Sequence, residues 1–292
     1  QAGSGIETDG SAWINTHSLD VQAGSGIDLA TQIDLLSAVL SGPGNIAVEE
    51  SDDIAPLLIL APDGSVEITA GGSITVGQIL CLSDALGNDV SIHSAGGDIT
   101  IDLIEVGKSH GRIFVESETG SIREVDAYDA AADLVGYYGY LKAQTIVGSY
   151  SDPNLNLEFD LSILEIEAYD LIISVDGDVV LDIDLQGIAD VTATGSITVN
   201  HLTSAGNSVK LTAIGDESYI LIDYLDAGAD QGVFTAEAGR DIREVDAYDD
   251  TVDLIANSAY LTAGRSIGGT TDGVADLDLE TDIDILTAVS QG

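Results

Sequence analysis

Two clusters of carboxylates carry the most regular chemistry in this chain: Glu124, Asp126 and Asp129, and then Glu244, Asp246 and Asp249, the same letters 120 positions later. Oxygen-only donors packed this closely suit a hard divalent cation such as calcium, which takes six to eight oxygens. Carboxylate catalysis, in contrast, needs a singular pair whose pKa values are driven apart by different surroundings. Both clusters sit inside one phrase, IREVDAYD, spelled at Ile122–Asp129 and again at Ile242–Asp249. A feature duplicated together with its frame reads as scaffold, so no enzyme is expected and no cofactor is required. Calcium is the ion expected if the clusters bind one; the alternative is a solvated acidic face. Calcium's nonapeptide repeat motif is missing, and Gly96-Gly97-Asp98-Ile99-Thr100-Ile101-Asp102 comes nearest to it.

The remaining reactive side chains are scattered. His17, His93, His110 and His201 show no paired-histidine spacing and have no cysteine companions, which argues against a zinc site. The single Cys81 lies in the apolar run Gln78-Ile79-Leu80-Cys81-Leu82 and reads as a small buried thiol. Neither a nucleophile elbow nor a phosphate-binding loop occurs. Tyr137, Tyr138 and Tyr140 make a local aromatic cluster. It would serve either as a contact patch for a glycan or neighbouring chain or as a loop packed on its own coil.

Composition narrows the partners. The chain has 51 acidic residues against 8 basic ones, a net charge of −43, in a chain that is 45% hydrophobic. That balance folds, yet it repels phosphate backbones and anionic headgroups, so nucleic acid is not an expected partner. The longest apolar run, Ile54 to Pro62, is too short for membrane insertion.

The elements that must hold these residues are repeats. After IREVDAYD the two copies stay in step through Asp133-Leu134 and Asp253-Leu254, then Tyr140-Leu141 and Tyr260-Leu261; upstream, Phe114 matches Phe234. Gly72-Ser73-Ile74-Thr75-Val76 returns as Gly195-Ser196-Ile197-Thr198-Val199. A third phrase occurs three times: Ile27 to Leu36, Leu155-Asn156-Leu157-Glu158 to Leu164, and Leu277-Asp278-Leu279-Glu280 to Leu286. The chain is therefore about 2.5 tandem units of about 122 residues, with approximate bounds 1–34, 35–162, 163–284 and 285–292. It is expected to form one continuous structure over 1–292, with the array continuing beyond its ends.

Within each unit, Gly or Asp turns alternate with runs of period two, such as Val179-Val180-Leu181-Asp182-Ile183-Asp184-Leu185. Such runs are half-buried strands, and helical spacing is nearly absent. Tandem copying decides the architecture, because a copied unit lengthens a solenoid but disrupts the closure of a barrel or sandwich. The expected fold is all-β, a right-handed parallel β-helix (β-solenoid) of about 14 rungs of about 20 residues, roughly 70 Å long at about 4.8 Å per rung.

Phrases such as AGSGIDLATQIDLLSAVLSGPGNIAVEESDD, GSVEITAGGSITVG and GGDITIDLIEVG resemble the repeat regions of giant secreted exoproteins of the filamentous-haemagglutinin type. The resemblance implies a parallel β-helix that is secreted and displayed extracellularly at the cell surface, serving in adhesion or as a fibre. The expected function is a structural component of an extracellular or cell-surface filament. Such a component is built by rung stacking and partnered by itself, end-to-end or as a longer array. An adhesin stalk that binds cells or glycans is the alternative, and a β-helix polysaccharide lyase or hydrolase is the second.

Overall fold

Alternation decides the strands. Along Val179–Leu185, the side chains of Val179, Leu181, Ile183 and Leu185 are buried while Asp182 and Asp184 face solvent. The same pattern runs through Val66–Ala70 and Val90–Ser94, and through Ile27–Leu40 with one change of phase at Leu35. β-Branched residues fit a pleat with one wet face, which is why Ile, Val and Thr dominate these runs. Positive hydropathy and heavy negative charge coexist because they occupy opposite faces of the same strands.

The computed structural model describes residues 3–8, 13–125, 131–149, 157–245, 251–268 and 279–291. The chain divides into two compact units, Gln1–Leu161 and Ser162–Gly292. In the first, Ile27 pairs with Ile46, Ile46 with Val66, Val66 with Val90 and Val90 with Ile113, all parallel. A second column runs Ile74, Ile99, Ile122. In the second unit Val179 pairs with Ile197, Ile197 with Ile220 and Ile220 with Ile242, while Val191 pairs with Leu211 and Leu211 with Ala236. Each column is a stack of aliphatic side chains that fills a narrow interior; nearly every member is completely buried. No helix occurs among the described residues, and so none is long and apolar enough to cross a membrane. The fold is a parallel β-solenoid.

Two expectations need correction. The solenoid has about 11 turns rather than about 14. A uniform rung was assumed, whereas the step is 18 residues from Leu171 to Ala189 but 27 from Ala259 to Leu286. The sequence match of Phe114 with Phe234 also fails in space. Phe114 is in register with Tyr140 and half-exposed, whereas Phe234 pairs with Ala259 and is fully buried. Four residues separate Ser117 from Ile122 but only three separate Ala238 from Ile242. At period two, one residue turns a side chain to the other face.

Turns are tied from rung to rung by acidic side chains. The Ser73 amide donates to Asp53 Oδ1 at 2.7 Å, Ser121 to Asp98 Oδ1 at 2.8 Å and Ile188 to Asp170 Oδ1 at 2.7 Å. Part of the acidity is therefore turn chemistry, in which a short carboxylate accepts an amide that the sheet leaves over. Glycine is needed where backbones touch: a Cβ on Gly239 would lie 1.9 Å from the Gly215 carbonyl oxygen, and one on Gly264 2.0 Å from that of Gly239.

The facing rule makes a paired prediction. Ile183→Ala, in the stack, is expected to lower unfolding stability by about 2–5 kcal/mol. Asp182→Ala, one residue away and exposed, should stay within about 0.5 kcal/mol. Urea unfolding followed by circular dichroism measures both, and equal costs would refute the assigned facing.

Candidate functional site

Glu124 follows Ile122 by two residues, so a strand that buries one must bury the other. Ile122 is fully buried and Glu124 is 3% exposed. Its rung partner is Ile101, and the equivalent Glu244, also 3% exposed, pairs with Ile222. A carboxylate thus stands where the column otherwise carries Val76 and Ile101, or Val199 and Ile222. It points inward, opposite to the outward acidic face that the sequence suggested.

The reason lies one rung away. The strand Ile99–Glu105 is unbroken, but the next rung covers it with two short strands, Ile122–Glu124 and Leu134–Val135. In sequence, nine residues, 125–133, separate these two strands. The following rung is interrupted in the same way, between Ile146–Val147 and Leu157–Asp160. The second unit repeats both interruptions, between Asp241–Glu244 and Leu254–Ala263 and between Ser266–Ile267 and Thr281–Ser290. The opening Ile-Arg-Glu of IREVDAYD therefore ends the strand before an interruption of the ladder in both units. Of the sequence-predicted ligands, Asp126, Asp129, Asp246 and Asp249 lie outside the described residues.

Glu124 is joined instead by Asp133, at the end of the first interruption, and Glu158, at the end of the second. One oxygen from each lies within 4.8 Å of the others, and Glu244, Asp253 and Glu280 make the same group in the second unit. The frames match bond for bond. The Asp133 amide donates to the Glu158 carbonyl at 2.8 Å, and the Glu158 amide donates to Asp133 Oδ2 at 2.8 Å. The corresponding pair, Asp253 with Glu280, measures 2.9 Å in both directions. Each triad thereby staples two consecutive loop stems to the coil.

Three carboxylates here cannot all stay ionised. Burial pushes the Asp133 carboxyl up to about 9, against the opposing pull of the Glu158 amide, and the neighbouring charges of Glu124 and Glu158 add to the rise. Near neutrality Asp133 keeps its proton and shares a hydrogen bond with the Glu158 side chain. The oxygens present are also the set a hard cation would use. Glu50 is a useful contrast. Only 2% exposed, it is also raised by burial, but it accepts bonds from Thr31 Oγ1 at 2.8 Å and from the Ile33 and Ser51 amides, and so it caps a turn beside Asp52.

The other candidates are quieter. Cys81 is buried and its thiol is pushed up to about 12 by desolvation, which removes nucleophilic character. His17 pairs with Asp34, His93 with Glu118 at 3.1 Å, His110 with Asp84 at 3.6 Å and His201 with Asp184 at 3.3 Å. Each is an acid on another rung, so these histidines act as surface clips. Tyr137 is 38% exposed, whereas Tyr138 packs against Phe114 with ring centroids 5.9 Å apart. The tyrosine cluster is thus partly committed to its own coil.

No protein-family model, curated protein or solved structure matches this chain. Its own geometry is the whole case. Sequence reasoning missed Asp133, Glu158, Asp253 and Glu280 as members of the groups. The signal was present: each belongs to a phrase repeated between copies, and Ile122-Arg123-Glu124 already places its glutamate inward by alternation.

A pH dependence follows. A carboxyl raised from 3.8 to about 9 binds its proton more tightly in the native state. Its contribution to stability is full below the unfolded value and is lost as pH climbs toward the folded one. The urea midpoint is expected to fall between about pH 4 and pH 9, and the double variant Asp133→Asn/Asp253→Asn should flatten that fall. A chelator should leave the wild-type midpoint at pH 6 unchanged; a drop would place a cation where the proton is assigned.

Proposed function

We propose that this chain is a structural component of an extracellular or cell-surface filament, in which the acidic β-solenoid forms a shaft by rung stacking. The supporting observation is that the chemistry comes in copies. The two groups of closely spaced ligand-type side chains among the described residues are one arrangement used twice, at loop stems, with matching backbone bonds. A feature present once per repeat, stapling loops to a coil, behaves as architecture.

Two further observations support this reading. The outward faces are dense in carboxylates, giving a hydrated, self-repelling side wall that limits lateral association. The repeat style, which resembles that of secreted filamentous-haemagglutinin exoproteins, favours placement outside the cell. On this reading the partner is the protein itself.

Negative-stain electron microscopy of the purified chain in physiological salt tests the proposal. Filaments one solenoid wide, lengthening with protein concentration, are the expected outcome. Monodisperse particles at every concentration would contradict it.

A further inference from the structure

We propose that Arg243 and Arg240, stacked on Tyr219, form a binding site for a carboxylate-bearing anion on the outer face of the second unit. Here the two copies of the repeat differ in chemistry instead of sharing it.

Register identifies the difference. In the first unit Ile122 pairs with Ile99 and Arg123 with Thr100; in the second, Ile242 pairs with Ile220 and Arg243 with Leu221. Asp98 precedes Ile99 and Tyr219 precedes Ile220, so these two residues occupy one structural position. Arg123 closes an ion pair on Asp98. Arg243 has no such acid. Its guanidinium carbon lies 4.9 Å from the centre of the Tyr219 ring, and it makes no ion pair among the described residues. Arg240 lies over the same ring at 5.0 Å, with Nη1 donating to Glu217 Oε2 at 2.8 Å. Arg265 stands one rung further on, where its amide donates to the Arg240 carbonyl at 2.7 Å. Three of the chain's eight basic residues therefore meet on two adjacent rungs of a protein with a net charge of −43. Strands are paired on both sides of the site: Ile220–Ile222 with Ile197–Ser204, and Asp241–Glu244 with Ser266–Ile267.

The chemistry selects the ligand. A guanidinium laid flat on an aromatic ring keeps its N–H edge in plane, and that edge matches a carboxylate in bidentate fashion. Stacking also holds the side chain before binding, so less rotamer freedom is lost when the ligand arrives. Glu217 already displays this contact on Arg240, and its side chain is 83% exposed, so an incoming carboxylate displaces it at small cost. Asp241, beside them, is 1% exposed and accepts a bond from Ser266 Oγ at 2.6 Å, so it balances one arginine without closing the site. Against Glu217 and Asp241, the three arginines keep a surplus positive charge. At physiological salt the field of the acidic wall is screened beyond about 8 Å, and these local contacts decide binding.

Nitrogen-15 labelling of arginine tests the site, because the chain has five arginines and Arg112 and Arg123 serve as internal references. Succinate titrated at constant ionic strength is expected to shift the Arg243 and Arg240 Nε–Hε signals saturably and to leave the references in place. Tyr219→Phe keeps the ring and should keep the affinity. Tyr219→Asp, which installs the acid of the first unit, should weaken binding about tenfold or more, the worth of one charge-assisted contact. Arg243→Gln should repeat that loss without touching the ring. Sulfate, a tetrahedral oxyanion of the same charge, should bind more weakly than succinate. Equal shifts at all five arginines, no saturable shift in the wild type, or undiminished affinity in both Tyr219→Asp and Arg243→Gln would overturn the site. Sulfate binding as tightly as succinate would overturn its assignment to carboxylates.

Discussion

The structure depends on one constraint: every backbone amide along a rung must meet a carbonyl on the rung beside it, in parallel register, while alternate side chains fill a shared interior. A single rung cannot bury its apolar face, and neither can an isolated strand. Two neighbours can, and each added rung repeats the arrangement. Ile74, Ile99 and Ile122, or Ile197, Ile220 and Ile242, are therefore stacks of like on like. The columns have little tolerance for a side chain of another shape or polarity.

That intolerance gives Glu124 and Glu244 their significance. A glutamate in an aliphatic column is costly unless it is neutralised or shared. Here it is held with two further carboxylates, one of which keeps a proton near neutrality. The arrangement occurs where two successive rungs are interrupted, at sites where the strand ladder is broken and stem backbone groups need partners. The reciprocal bonds between Asp133 and Glu158, and between Asp253 and Glu280, supply them. Turn aspartates such as Asp53 and Asp98 do a milder version of the same work at the coil corners.

Much of this was legible in the sequence, and the failures have definite causes. Val179–Leu185 shows its facing letter by letter, and tandem copying favoured a coil over a closed barrel. Rung length was not legible, because the step between register partners varies, from 18 residues at Leu171 to 27 at Ala259, with no uniform spacing of turn letters to show it. The Phe114 and Phe234 mismatch came from aligning letters across a turn that differs by one residue, which period two converts into opposite faces. At the triads, the acidic residues of IREVDAYD were read as one outward cluster. The first of them obeys the strand and turns in, while its partners come from 9 and 34 residues further along the chain, brought alongside by rung stacking. Local spacing cannot show partners that only the coil places together.

Removal of one whole rung is the most direct measurement of the central claim. Residues 189–208 run from Ala189 to the residue before its register partner Val209, and their removal would bring Leu171 against Val209 and Val179 against Ile220 with every inward position kept inward. The shortened chain is predicted to keep a β-rich circular dichroism spectrum and a cooperative urea transition, whereas removing 189–198, half a rung, should abolish both. A whole-rung deletion that unfolds as completely as the half-rung deletion would contradict the account.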